Sequence, residues 1–193
     1  MTGTGKYLPV FMMVTATMLV TGCATMTAEE CMVADWYRLG QQDAMAGRTT
    51  SYLGNRAGDC TEAGHPVDEV AWYAGYERGL EHYCTIDNGF RQGVEGQRYN
   101  RICPPELEAA FLDGYDLGAS IHRLQGQVNS LRQELDTVTG ELRKLEREDR
   151  PDRAAIADLR DQRADIRSRL TASEIELATV RGIAQGRGFP VPR

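Results

Sequence analysis

The chain predicts an all-α protein. A small disulfide-bridged helical domain, packed through glycines and aromatic rings, is followed by a long antiparallel hairpin of coiled-coil type. Three observations carry this expectation. Between residues 27 and 119, glycines recur four apart beside Trp, Tyr and Phe. Cys31, Cys60, Cys84 and Cys103 fall within the same stretch. From Ile121 onward, apolar residues alternate by three and four, the spacing of a heptad seam.

The elements follow in order from the N-terminus. Lys6 is the only charge before Glu29, and Leu8 to Val20 is apolar, broken early by Pro9. A helix crossing a bilayer needs about 20 such residues, so this run is too short to span. A basic start, an apolar middle and small residues before a cut describe a secretion signal over residues 1–22. It ends in Leu19-Val20-Thr21-Gly22-Cys23, which resembles a bacterial lipoprotein processing site and makes Cys23 the acylated first residue of the mature chain. An ordinary signal cut or a weak membrane helix is the competing reading. Several acyl chains, at about 0.8 kcal/mol per buried CH₂, give durable attachment to a lipid bilayer. Ala24 rather than Asp follows the cysteine. By resemblance to enterobacterial lipoproteins, this implies the outer membrane, with the domain in the periplasm.

The formal net charge is −6, and it becomes one unit more negative once Lys6 leaves with the signal. This argues against nucleic acid or an anionic membrane surface as the main partner.

Four cysteines beyond Cys23 in an exported chain read as two disulfides. Structural zinc sites pair their ligands as C-x₂₋₄-C, and no two of these four are that close. No C-x-x-C redox pair occurs either. Four cysteines allow three connectivities. If short helices run up, down and up, Cys31 lies at the same end as Cys84, and Cys60 at the same end as Cys103. This plan favours Cys31–Cys84 and Cys60–Cys103, each contributing about 2–4 kcal/mol.

The segment 27–119 states one pattern four times. The first copy is Trp36-Tyr37-Arg38-Leu39-Gly40 with Gly47, and the second is Trp72-Tyr73-Ala74-Gly75-Tyr76 with Gly79. The third is Gly89, Phe90, Gly93 and Gly96, and the fourth is Phe111, Gly114, Tyr115 and Gly118. Residues four apart share a helix face. Each helical glycine costs about 1 kcal/mol relative to alanine, so a regular series demands a reason. Close helix packing supplies one. The alternative is a carbohydrate or peptide groove lined by Trp36, Trp72, Tyr73, Tyr76 and Tyr115. The Gly89, Gly93 and Gly96 spacing is not G-x-G-x-x-G and follows no strand signal, which argues against a nucleotide cradle. No cofactor is implied.

Thr27-Ala28-Glu29-Glu30 has capping-box spacing. Asp68 is placed to cap a helix over 69–82 and Asp87 one over 88–99. Pro104-Pro105-Glu106 suits a helix's first turn. Residues 48–67, with Gly54, Gly58, Gly64 and Pro66, read as a long loop tied down by Cys60.

Ile121, Leu124, Val128, Leu131, Leu135, Val138, Leu142 and Leu145 keep an unbroken a/d register. A helix over 105–149 would be about 65 Å long. Pro151 stops it. A second helix over 152–181 carries Ile156, Leu159, Ile166, Leu170, Leu177 and Val180, interrupted by Arg163 and Ser173. Arms of similar length predict an intramolecular hairpin spanning 120–181, turning near 149–152, because local closure costs little loop entropy. A parallel dimer through the exposed stripe, including Leu131 and Leu135, is the alternative. Residues 182–193 read as a flexible tail.

Asp35-Trp36-Tyr37-x₂-Gly40-x₂-Asp43-x₃-Gly47-Arg48 follows Cys31. Cys84-Thr85-x₂-Asn88-Gly89-Phe90-x₂-Gly93-x₂-Gly96-x₂-Tyr99 and Cys103-Pro104-x₂-Leu107-x₃-Phe111-x₂-Gly114-Tyr115-x₂-Gly118 follow in turn. Together they resemble a family of bacterial envelope lipoproteins that carry a domain of unknown function. The resemblance covers about residues 23–149, with Ala44 where relatives carry Gly, and 152–181 looks less typical. It implies placement in the envelope and assigns no catalytic residue.

His65, His82 and His122 belong to no H-E-x-x-H or other catalytic motif, and no G-x-S-x-G occurs. Asp35 with Asp43, Glu77 with Glu81 and Asp113 with Asp116 read as surface patterns. The expectation is therefore a lipid-anchored structural or adaptor protein, not an enzyme, that engages another envelope protein or itself through its helical arm. The alternative is a glycan or peptidoglycan module using Trp36, Trp72 and Tyr76.

Overall fold

The computed structural model describes residues 26–191, so Cys23 and the signal segment lie outside the described residues. Seven helices and no strand occur among the described residues: α1 (Ala28–Met32), α2 (Trp36–Met45), α3 (Ser51–Glu62), α4 (Glu69–Tyr83), α5 (Ile86–Val94), α6 (Pro105–Leu145) and α7 (Arg153–Gly186). The all-α class stands, with both disulfides in the N-terminal part and a long helical region after them.

Local chemistry sets the boundaries. Thr27 and Glu30 complete the capping box of α1, with Thr27 N–H donating to Glu30 Oε2 at 2.8 Å. Asp35 caps α2 by accepting from Arg38 N–H at 3.0 Å. Asp68 caps α4 by accepting from Ala71 N–H at 2.9 Å. Thr85, not Asp87, caps α5, and that helix ends at Val94 rather than 99.

The four-fold pattern resolves into two helix pairs, α2 with α4 and α5 with α6, each joined backbone to backbone. A Cβ on Gly75 would overlap the Tyr37 carbonyl, and one on Gly40 would overlap the Trp72 carbonyl. In the second pair, Gly114 meets Ile86 in the same way and Gly89 meets Phe111. Gly79 lies against Gln41, and Gly118 against Phe90. Residue numbers rise together along both partners, so each pair is parallel.

The two pairs also share their locks. Gly47 (φ 72°) and Gly96 (φ 69°) end the first helix of each pair in the left-handed region, where a side chain is disfavoured. The ring of Tyr83 covers Gly47 and the ring of His122 covers Gly96. Tyr76 donates its hydroxyl to the Arg48 carbonyl at 2.5 Å, and Tyr115 does the same to Gln97 at 2.8 Å. Ala44 occupies the place of Gly93, and its Cβ packs at Gly79.

Parallel packing corrects two expectations. The stretch 48–67 is not a loop, because α3 occupies most of it and runs the chain back between α2 and α4. Gly54 and Gly58, which suggest a loop, face open space on that helix. The disulfides are Cys31–Cys60 and Cys84–Cys103, not Cys31–Cys84 and Cys60–Cys103. The favoured pairing assumes that the helices around Trp36 and Trp72 are antiparallel. They are parallel, and each bridge clips the N-terminal end of one pair.

The arm is an intramolecular hairpin. Arg132 pairs with Glu174 at 2.7 Å, Arg160 with Glu146 at 2.7 Å, and Gln127 donates to Ser173 at 3.0 Å. Leu131, Val138, Leu142 and Ile166 are buried in the seam, and Leu135 packs beside them half-buried. Ser173 keeps the three-four register of α7 and is satisfied by Gln127, so it interrupts hydrophobicity without interrupting packing. Nor is α6 broken at 119–120: one helix of 41 residues runs from the second glycine pair to the hairpin tip, about 60 Å.

The expected tail at 182–193 is corrected over its described residues, 182–191. Helix α7 continues to Gly186, and Phe189 stacks on Phe90 with centroids 4.3 Å apart. Arg187 pairs with Asp113 on α6, and that hydrogen bond holds the Asp113 carboxyl below its ordinary range.

Glycine substitutions separate contact from propensity. Gly75→Ala and Gly114→Ala should each destabilise the protein by about 3 kcal/mol or more, because rigid backbone opposes the added methyl. Gly58→Ala and Gly126→Ala, which face open space, should stabilise by up to about 1 kcal/mol. Urea unfolding with disulfides intact measures all four.

Candidate functional site

Asp43 lies on the inner face of α2, and its side chain is 1% exposed. Arg56 of α3 grips it with both ends of its guanidinium, Nε to Oδ2 and Nη2 to Oδ1, each at 2.9 Å. Arg48 Nη1 donates to Oδ1 at 2.9 Å, and the Trp72 indole N–H donates to Oδ2 at 3.1 Å. Four donors therefore converge on two carboxylate oxygens. Arg48 also lies over the Tyr52 ring, 3.9 Å from its centroid, a favourable cation–π position. Tyr76 stacks on Trp72 at 4.8 Å.

The second pair explains why this cluster occurs once. A buried indole N–H needs an acceptor, and Trp72 finds one in Asp43. The position equivalent to Trp72 is Phe111, which needs none, and the position equivalent to Asp43 is Gln92. With its oxygens saturated, Asp43 is built to fasten α2, α3 and α4 together rather than to accept a substrate proton.

The sequence pattern reads Asp35 and Asp43 alike as surface residues, and the structure separates the two. Asp35 caps a helix and Asp43 is buried. The carboxylate's partners come from elsewhere in the chain, so local sequence shows only Asp43 and Arg48 five apart.

The rings proposed for a groove are mostly committed to the core. Trp36, Trp72 and Tyr76 are buried, Tyr115 is half-buried, and Tyr73 with Tyr37 remains exposed. Leu131 and Leu135 face the hairpin seam. Among the described residues, no group of three or more His, Cys, Asp or Glu is placed to hold a metal ion. No described helix is long and apolar enough to cross a membrane.

Two open concavities flank α1. One, about 280 Å³, lies beside Arg56 and is lined in part by Met26, Val33, Ala34 and Leu39. The other, about 660 Å³, lies between α1 and the start of α4 and includes Met32, Ala34, Val67 and Val70. Sequence periodicity does not reveal this apolar rim, because α1 has only 5 residues.

A family model described as "Protein of unknown function (DUF2799)" matches residues 35–120. That span begins at the cap of α2 and ends within α6, so it takes in both glycine-packed pairs and leaves out most of the hairpin. No curated protein and no solved structure matches the chain.

Asp43→Asn should destabilise by about 3–5 kcal/mol, since it leaves the buried Arg56 without its counter-charge. Arg48→Ala, at a half-exposed guanidinium, should cost much less; denaturant unfolding distinguishes them. The Tyr76 hydroxyl is pushed up to about 12, first by burial and then by the negative charge of Asp43 and by Tyr83. Because the folded value exceeds the ordinary 10.0, the associated stability is complete below pH 10 and is lost as pH rises toward 12. Burial also raises Tyr83 and Tyr99. Unfolding free energy should therefore fall above pH 10, and Tyr76→Phe should make that fall shallower.

Proposed function

We propose that this chain is a lipid-anchored structural or adaptor protein of the cell envelope. In this reading it is acylated at Cys23, held at the outer membrane with its domain in the periplasm, and engages another envelope protein through its helical arm. One observation carries the reading: α6 belongs to both halves of the molecule. Its first turns form the glycine-packed pair with α5, and its remainder forms the hairpin with α7. Load or position at the arm is transmitted to the anchored domain through unbroken helix rather than through a linker.

The seam of the arm is filled by its own residues, so recognition falls to the outer surface. That surface is largely charged and carries the exposed Ile175 and Ile183 of α7. The burial of Trp36, Trp72 and Tyr76 removes the rings on which the glycan or peptidoglycan alternative relied most.

A photoreactive residue at Glu141 or Ile175 in living cells, with mass spectrometry of the adducts, tests the proposal. The expected result is one reproducible envelope-protein adduct from arm positions, absent when the probe stands at Tyr73. Adducts only with the chain itself would replace the adaptor reading with self-association. No adduct, together with retention of the purified protein on peptidoglycan, would replace it with the glycan reading.

A further inference from the structure

We infer that the apolar rim formed by Met32, Val33 and Val70 lies against the headgroup region of the membrane that holds the anchor. This rests on acylation at Cys23 as proposed above.

The chain enters the fold at Met26, whose position is fixed. Met26 is buried, its N–H donates to Asp59 Oδ2 at 3.1 Å, and its sulfur is 3.9 Å from Cys60 Sγ in the Cys31–Cys60 bridge. Only Ala24 and Thr25 lie between Met26 and the acylated Cys23, and the three chain steps from Cys23 to Met26 reach at most about 10 Å. Whatever surrounds Met26 is therefore held at the interface.

Large exposed apolar side chains lie in and beside the concavity that Met26 lines. Val33 is 82% exposed, Val70 82% and Met32 64%. Val33 shares one concavity with Met26, Met32 and Val70 share the next, and Ala34 lines both. Helices α2 and α4 both begin here.

Charge selects among lipid surfaces. Glu30, Asp35, Asp68 and Glu69 line the two concavities, beside Arg38 and beside Arg56, whose charge is paired with Asp43. Such a lining is repelled by an anionic surface and tolerated by a zwitterionic one. Three side chains do not replace acyl chains as an anchor. Their effect is to fix the orientation in which the tethered domain rests.

The test uses the full mature protein, purified with its acyl chains and reconstituted into vesicles of phosphatidylethanolamine and phosphatidylcholine. A photoreactive residue stands at Val33, at Val70 or, as control, at Ile175 on the arm, and intact mass reports acylation in the same samples. The expected result is a several-fold excess of lipid adducts from Val33 and Val70 over Ile175. Acylated protein that gives no such excess overturns the rim while leaving the anchor reading intact. Cys23 without acyl mass, in protein from cells that process lipoproteins, overturns both.

Discussion

Everything in the disulfide-bridged domain depends on the contact of helix backbone with helix backbone at the glycine positions. Where Gly40, Gly75 and Gly79 join α2 to α4, and Gly89, Gly93, Gly114 and Gly118 join α5 to α6, a single methyl would collide with carbonyl groups that cannot move aside. The resulting dense packing compensates for the low helix propensity of glycine. It also fixes the parallel orientation, and from that orientation follow the return path through α3 and the placement of the bridges. Parallel neighbours need a connection that travels back along their length. In the first pair this is a helix and in the second the stretch 97–104. Both connections are closed at the N-terminal end of the pair by a disulfide.

The two pairs are one design with two interiors. Backbone contacts, the positive-φ glycines and the tyrosine hydroxyl locks are shared. The first pair buries an ion cluster around Asp43, whereas the second buries Phe111 and turns its outer face toward α7. Phe90, Ile121 and Leu124 join Leu177, Ala184 and Phe189 in that second core. The hairpin is therefore no appendage, since its returning strand of helix covers the second pair and reaches Asp113 through Arg187.

Legibility in the sequence followed the range of the interactions. The glycine spacing, the capping box at Thr27, the Asp68 cap and the heptads from Ile121 are local signals, and they place most helices correctly. The turn near Pro151 and the antiparallel arm were readable for the same reason. What could not be read depended on distant partners. Parallel and antiparallel pairings leave the same one-helix pattern, so the helix pattern does not fix the cysteine partners. Gly54 and Gly58 disguised α3, because glycines on an exposed helix face look like those of a loop. Asp43 acquires its role from Arg56 and Trp72 on other helices, and Phe189 acquires its role from Phe90. Neither contact leaves a local trace.

The parallel arrangement is tested most directly by mapping the disulfides in the oxidised protein. Arg38, Arg56, Arg78, Arg91 and Arg101 place each of the four cysteines on its own tryptic peptide, so mass spectrometry without reduction reads the pairing. Two parallel pairs require Cys31 joined to Cys60 and Cys84 to Cys103. Finding Cys31 joined to Cys84 and Cys60 to Cys103 would contradict that arrangement, because those bridges belong to antiparallel helices and not to two parallel pairs clipped at one end.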